Sequence, residues 1–380
     1  MPAWIGGVGD TMFGRAEGKD SLDLMGEAAT AALAGAGFVR AEIDGLVTGY
    51  STALPHLMLA NLFAEHFGLR PAYAHTIQLG GATGSALVML AKSLVETGRC
   101  RNVLVVAGEN RLSNPGGRDR AISTLAQVGH AFYEVPYGAT IPGYYALLAS
   151  QYMAAYGIEE ADLAEMAVLM RRHAALHPKA HLPEVVTVEQ VLASRPIATP
   201  LKLLDCCPIS DGAVAVLVTA ERDRSTGVRL LGAGQAHQHQ HLSQARDLSD
   251  FGGRLAAERA FAEAGIGADR VGVLGIYDSF TITLTILLEE LGFCGRGEAA
   301  GDVRAGRFAV DGPLPMNTHG GLLAFGHPGV AGGMAHLVEV VRQMTGGAEA
   351  RQMGKLPEFG FVHGDGGILS AHVSLVLGRE

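Results

Sequence analysis

The chain has few cysteines, no basic block and no long apolar run, and each absence narrows its function. Its four cysteines, Cys100, Cys206, Cys207 and Cys294, form no Cys-x-x-Cys pair. That spacing argues against a zinc or redox motif, so no metal site is expected from them. Adjacent Cys206 and Cys207 are poor disulfide partners, and a reducing, cytoplasmic setting is the natural expectation. No Lys/Arg-rich stretch accompanies the net charge of −9, which argues against nucleic acid as a main partner. No stretch reaches eighteen apolar residues, so no membrane span is expected. The segment MPAWIGGVGDTMFGR has neither a charged n-region nor a long apolar run, so no signal peptide is expected. Gly7-Val8-Gly9 is too short for a dinucleotide fingerprint, and no Walker A pattern occurs.

What is present describes a globular enzyme. The 380 residues suffice for two domains or two halves, and 48% are hydrophobic against 18% charged. The 52 glycines are about twice the usual ~7% share, which suggests tight turns and close-packed helices.

Strand and helix patterns alternate through the first half. Trp4 to Val8, Asp44 to Tyr50 and Asn102 to Ala107 read as strands, and Ala72 to Leu79 as an extended segment. Leu22 to Gly37 reads as an alanine-rich helix closed by glycine, and Leu57 to Phe67 as an amphipathic one. Ala82 to Glu96 is apolar on every face, the mark of a helix buried between layers. Such alternation predicts α/β layering. Residues of about 111–200 break the pattern and read as an inserted loop domain covering a site, with helices at Tyr144 to Tyr156 and Glu160 to Ala174. The pattern returns at Leu203 to Thr219 with a turn and a buried strand.

The second half echoes the first. Leu255 to Ser279 repeats the helix, Ala-Gly stop, acidic turn and apolar strand of Leu24 to Ser51. Gly326 to Gly346 likewise echoes Gly80 to Gly98. The expected division is an N-terminal half, 1–225, carrying the insertion, and a C-terminal half, 226–380. The two buried helices would meet at the centre of a five-layered α-β-α-β-α sandwich built from two similar halves.

The densest chemistry lies in PMNTHGGLLAFGHPGVAGGMAHL, Pro315 to Leu337. It sets His327 in a glycine-rich loop running into a long apolar helix. A helix N-terminus offers free N–H groups and a positive dipole end. A histidine there can polarise or protonate a developing oxyanion.

Together with YDSFTITLTILLEELGFC, RRHAALHPKA, LLDCCPISDGAVAV and FVHGDGGILSAHVSLVLG, this segment resembles the thiolase superfamily along the whole chain. The likeness is greatest to sterol-carrier-protein-type thiolases and their bacterial relatives. It implies a homodimer that handles acyl-CoA thioesters, with coenzyme A as part of the substrate and no separate cofactor.

Family members carry four reactive positions, and the sequence departs at three. Gly81 stands where the nucleophilic cysteine belongs, Tyr277 where a loop histidine or asparagine belongs, and His363 where the C-terminal cysteine belongs. His327 alone remains. Without a nucleophile a covalent acyl-enzyme has no starting atom. Retro-aldol cleavage of a β-hydroxyacyl-CoA needs no covalent step. It needs a base, for which Tyr277 and His327 are candidates with His363 beside them, and donors for an enolate. Backbone N–H groups near Gly81 and Gly364 would supply an oxyanion hole. Thiolase-like steroid side-chain aldolases resemble this arrangement and imply a small OB-fold/zinc-ribbon partner protein. The other readings are an acyltransferase with an unusual site and a non-catalytic subunit that binds CoA esters.

Further candidates surround these. His319 before Gly320-Gly321 is a candidate contact for the thioester or a turn cap, and His173 and His177 are candidate substrate-lining residues. Asp211 reads as a turn acid fixing Gly212. The tract His237-Gln238-His239-Gln240-His241 would put three imidazoles on one face if extended, without an accompanying carboxylate. The insertion tyrosines Tyr133, Tyr137, Tyr144 and Tyr145 are expected to shape the acyl pocket.

Overall fold

The computed structural model describes residues 1–138 and 140–380. Among them, the main strands are β1 (Trp4–Asp10), β2 (Gly45–Gly49), β3 (Tyr73–Ile77) and β4 (Asn102–Asn110) in the first half. After a small separate hairpin, β5 (Pro196–Ala198) and β6 (Leu201–Lys202), comes β7 (Asp211–Thr219). The second half contributes β8 (Val228–His237), β9 (Val273–Ile276), β10 (Phe359–Gly366) and β11 (Ala371–Arg379). Nine of these form one continuous sheet in the order β3-β2-β4-β7-β1-β8-β11-β10-β9.

That order is symmetric about the β1–β8 seam, where Trp4 pairs with Arg229. Outward from it, β1-β7-β4-β2 matches β8-β11-β10-β9, with the same two antiparallel pairings followed by a parallel one. Beyond β2 lies parallel β3; beyond β9 lies a parallel bridge from Leu274 to Met316. The two halves are therefore one design used twice.

Packing repeats as faithfully. A Cβ on Gly7 or Gly9 of β1 would overlap the carbonyl oxygens of Ala32 and Ala28 in the helix Ser21–Ala36. In β8, Gly232 and Gly234 make the same approach to Ala260 and Ala256 of the helix Gly253–Ala264. Bare glycine against alanine brings helix backbone onto strand, which accounts for much of the Gly and Ala content. The Ser21–Ala36 helix opens with a capping box from Asp20 and Asp23 and closes on Gly37 in the left-handed region, the glycine stop that its sequence predicts.

Two helices, Thr83–Glu96 and Val330–Thr345, fill the space between the half-sheets. Their Leu87, Val88, Val338 and Val341 pack with Val105 and Val216 of the first half and Val362 and Leu375 of the second. Gly84 lets the two helices touch, since a Cβ there would lie 2.7 Å from Met334. Outer helices complete five layers.

The insertion runs from β4 to β7 and holds the helices Gly117–Leu125, Ile141–Tyr156, Glu160–Ala174 and Val188–Ala193. Gly320 seats the Glu160–Ala174 helix on the chain before His327, because any side chain there would meet Ala174. Asp211 does more than fix its turn. Its buried carboxylate accepts the N–H groups of Ala16, Leu112 and Ser113, at 2.6 to 3.2 Å. It thereby ties the exits of β1 and β4 together beneath the insertion.

Candidate active site

The His327 loop is held from below. Its backbone bridges Ile209, and its N–H donates to Ser210 Oγ at 3.1 Å, which also lies 2.9 Å from His181 Nδ1. Gly329, at φ 61° and ψ −132°, turns the chain into the second central helix. A side chain at Gly329 would run into Glu109 and Arg111.

The His327 ring reaches Tyr277, with Nε2 3.1 Å from the phenol oxygen. Burial, then the Arg111 and His336 charges, lower its pKa to about 3. The imidazole is thus neutral at pH 7. With the proton on Nδ1, Nε2 accepts from the Tyr277 hydroxyl. Tyr277 is 5% exposed and follows β9, its N–H donating to the His363 carbonyl at 3.0 Å. Burial holds its pKa well above the usual phenol value, with Cys207, Asp365 and Tyr50 adding to it and Arg111 opposing.

Gly81 leads into the first central helix, immediately before Ala82. A Cβ at Gly81 would overlap the Tyr277 hydroxyl and the Asp365 carbonyl oxygen. The phenol therefore occupies the space a side chain at position 81 would need. Gly364 pairs with Val373 in the sheet, and its bare Cα lets Ala82 and Ser85 come close. It borders the same helix start through packing.

Asp278, the residue after Tyr277, is fully buried and organises the loop. Its carboxylate accepts the Leu322 N–H at 2.7 Å and stands 3.3 Å from His336 Nε2. This fixes a π-helical turn, Gly321–Phe325, which glycine-rich sequence reads as loop. Gly321 must be bare because Asp278 lies against its Cα.

Other candidates fall elsewhere. His363 is fully buried, with Nδ1 2.8 Å from Ser374 Oγ and Nε2 3.1 Å from His372 Nδ1. Both ring nitrogens are committed there, and only its backbone carbonyl meets Tyr277. His319 sits edge-on to Phe325 and His336, at 5.1 and 5.0 Å between ring centroids, and neither nitrogen has a partner. His173 contacts the Asn317 carbonyl at 3.3 Å, and burial lowers its pKa to about 4. His177 packs on Phe325. The rings of the His237–His241 tract diverge: His239 meets the Ile368 carbonyl and His241 packs on His130. Two surface grooves, of about 600 Å³ each, lie along the Ser21–Ala36 and Leu59–Phe67 helices, on the outer layer.

Two pairs at the site escape sequence reasoning. Glu109 and Arg111, 1% and 5% exposed, form an ion pair of 2.8 Å. Asp365 Oδ2 lies 3.1 Å from the Tyr145 hydroxyl. Alternation along β10 puts residues 363 and 365 on one face, but nothing local announces the partner 220 positions away.

The arrangement offers a proton-transfer pair beside a helix N-terminus, with no thiol at the reactive glycine. Residues 7–222 match the family described as thiolase, N-terminal domain, and residues 234–379 the thiolase C-terminal domain-like family. An acetyl-CoA acetyltransferase of Methanothermobacter thermautotrophicus is 32% identical, over 97% of each chain. The 17-hydroxy-3-oxo-4-pregnene-20-carboxyl-CoA lyase of Mycobacterium tuberculosis is 35% identical, over 90% of this chain and 92% of its own. Among solved structures, an Ltp2-ChsH2(DUF35) aldolase superposes with a TM-score of 0.85 at 30% identity, covering 100% of this chain and 98% of its own.

Proposed function

Since the chain belongs to the thiolase superfamily, we propose that it cleaves a carbon–carbon bond of a β-hydroxyacyl-CoA by a cysteine-independent retro-aldol step. One observation carries this reading. The Tyr277 hydroxyl fills the place of a side chain on Gly81 and is bonded to His327. A proton-transfer group thus stands where a nucleophile would otherwise stand.

In this reading Tyr277 takes the β-hydroxyl proton while passing its own to neutral His327. The Cα–Cβ bond breaks, the β-carbon becomes a carbonyl, and the electron pair forms the thioester enolate. N–H groups at the start of the Thr83–Glu96 helix receive the enolate oxygen. A low-dielectric setting strengthens each of these interactions.

The same reading includes a homodimer, an OB-fold/zinc-ribbon partner like the DUF35 component named with the aldolase neighbour, and a cytoplasmic location. An acyltransferase reading needs a thiolate. Cys207, whose charge would act on Tyr277, has its thiol pushed up by burial and stays protonated.

The test is cleavage of β-hydroxyacyl-CoA substrates by the purified protein, alone and with the co-expressed partner. Tyr277→Phe and His327→Ala each lower the rate by ~10²–10⁴ with the fold intact. Full activity in both variants overturns the assignment. Intact-mass measurement after incubation with acyl-CoA shows no adduct; a stable acyl adduct restores the acyltransferase reading. CoA binding without cleavage points to a non-catalytic subunit.

A further inference from the structure

Asp365 is 1% exposed, yet only one of its carboxyl oxygens has a protein partner. Oδ2 lies 3.1 Å from the Tyr145 hydroxyl, which is also 3.3 Å from the Gly367 carbonyl. Oδ1 is buried and has no partner among the described residues. Tyr145 comes from the insertion helix Ile141–Tyr156 and is stacked on Phe280, with centroids 4.5 Å apart. Tyr145 thus reaches β10 and Asp365 from the insertion.

The backbone of Asp365 is fixed beside Gly81, where its carbonyl oxygen and the Tyr277 hydroxyl converge on the same point. Its carboxyl lies near enough to the phenol for its charge to act on Tyr277. A buried carboxyl held by a phenol and lacking a cation at its free oxygen favours its neutral, proton-carrying form. Burial holds its pKa well above the usual carboxyl value, the Glu290 charge adds to this, and the hydrogen bonds from Tyr145 and the Gly366 backbone only partly oppose it. A neutral acid is what a carbanion-like enolate requires at its carbon.

Resting on the retro-aldol reading, we propose that Asp365 is a second catalytic residue, the acid that protonates the α-carbon of the released thioester enolate, with Tyr145 as its positioning residue. The Asp365 proton passes to the α-carbon as the enolate collapses to the acyl-CoA product. The carboxylate then regains a proton from solvent, while the Tyr277–His327 pair releases the one taken from the β-hydroxyl. Atoms and charge balance without any oxidant or reductant. Run in reverse, the same carboxylate removes an α-proton from the product thioester.

That reverse half-reaction is separable from cleavage. Acetyl-CoA and propionyl-CoA are incubated with the enzyme and its partner in D2O, and α-hydrogen exchange is followed by NMR. Wild type exchanges, and Asp365→Asn falls at least ~100-fold. Tyr145→Phe, which keeps the ring on Phe280, retains exchange but moves its pH profile, and it serves if Asp365→Asn does not fold. Exchange by Asp365→Asn at the wild-type rate, or none by wild type, overturns the proposal. Wild-type exchange lost in Asp365→Asn, with no cleavage of any β-hydroxyacyl-CoA, keeps Asp365 as the α-carbon acid and removes the retro-aldol reading instead.

Discussion

The Tyr277 hydroxyl lies in the space that a Cβ on Gly81 would take, and it is 3.1 Å from His327 Nε2. Side chains at 81 and 277 are therefore mutually exclusive in this geometry. A chain with this tyrosine has no room for a nucleophile at the start of its first central helix.

Gly81→Ala tests that exclusion. The added methyl meets the Tyr277 hydroxyl, which can swing away, and the Asp365 carbonyl oxygen, which as backbone cannot. Overpacking of this kind costs about 1–3 kcal/mol. Denaturant unfolding should show that loss, and cleavage should fall with it because Tyr277 is displaced. A Gly81→Cys variant should regain no acyl transfer while Tyr277 is present. Wild-type stability and activity in Gly81→Ala would remove the steric argument.

The rate of cleavage should lack an inflection near pH 6.5. His327, with its pKa near 3, stays neutral throughout the ordinary range, so acidification to about pH 5 leaves the base in place. A kcat–pH profile measured from pH 5 to 8 checks this. An acid limb centred near 6.5 that vanishes in His327→Gln would show the ring to be solvated.

Much of this was legible before the structure, for physical reasons that can be named. Glycine caps, apolar periodicity and the repeated Ala-Gly stops mark local conformational limits, so the strands, helices and duplication follow from neighbours in sequence. Gly81 and Tyr277 were each visible as departures from a motif. Their contact was not, because it joins residues 196 positions apart through the packing of two half-sheets. Asp365 stands between glycines with nothing local to single it out, because its chemistry depends on burial and on Tyr145, 220 positions away. His363 and His319 show the opposite case. Their motif positions suggested contact with substrate, whereas cross-strand pairing sets His363 beside Ser374 and His372, and the π-helical turn folds Phe325 against His319.

His177 should make the protein sensitive to acid. Burial, then the Arg351 charge, lowers its folded pKa to about 3 from the usual imidazole value of 6.5. Between those values the unfolded chain binds a proton that the folded chain refuses. Stability from this residue is complete above about pH 6.5 and is lost as pH falls toward 3. One proton corresponds to about 1.4 kcal/mol per pH unit. His177→Asn should flatten the pH dependence of the unfolding free energy by that amount between pH 6 and 4.5. An unchanged slope would mean that the ring titrates alike in both states.

Glu109 and Arg111 support the His327 loop, and their removal should be strongly coupled. Glu109 Oε2 accepts the Thr52 N–H and hydroxyl, both at 2.7 Å, and the Ala53 N–H at 2.9 Å, while Oε1 accepts from Arg111 at 2.8 Å. The pair backs onto Gly329 at the start of the second central helix. Arg111→Met strands a buried carboxylate, and Glu109→Gln strands a buried guanidinium; losing one partner of such a pair costs about 3–5 kcal/mol. The double variant should recover part of that loss, which a double-mutant cycle by denaturant unfolding measures. Function separates the two members further. Arg111 pushes His327 toward its neutral form and draws the Tyr277 phenol toward ionisation. Arg111→Met should therefore raise the pKa of both, making the Tyr277 phenol a weaker donor to His327 and bringing protonation of His327 closer to neutral pH. The cleavage profile of a refoldable double variant should then show an acid limb that wild type lacks. A cycle with no coupling would mean that each charge is solvated separately and that the pair does not hold the loop.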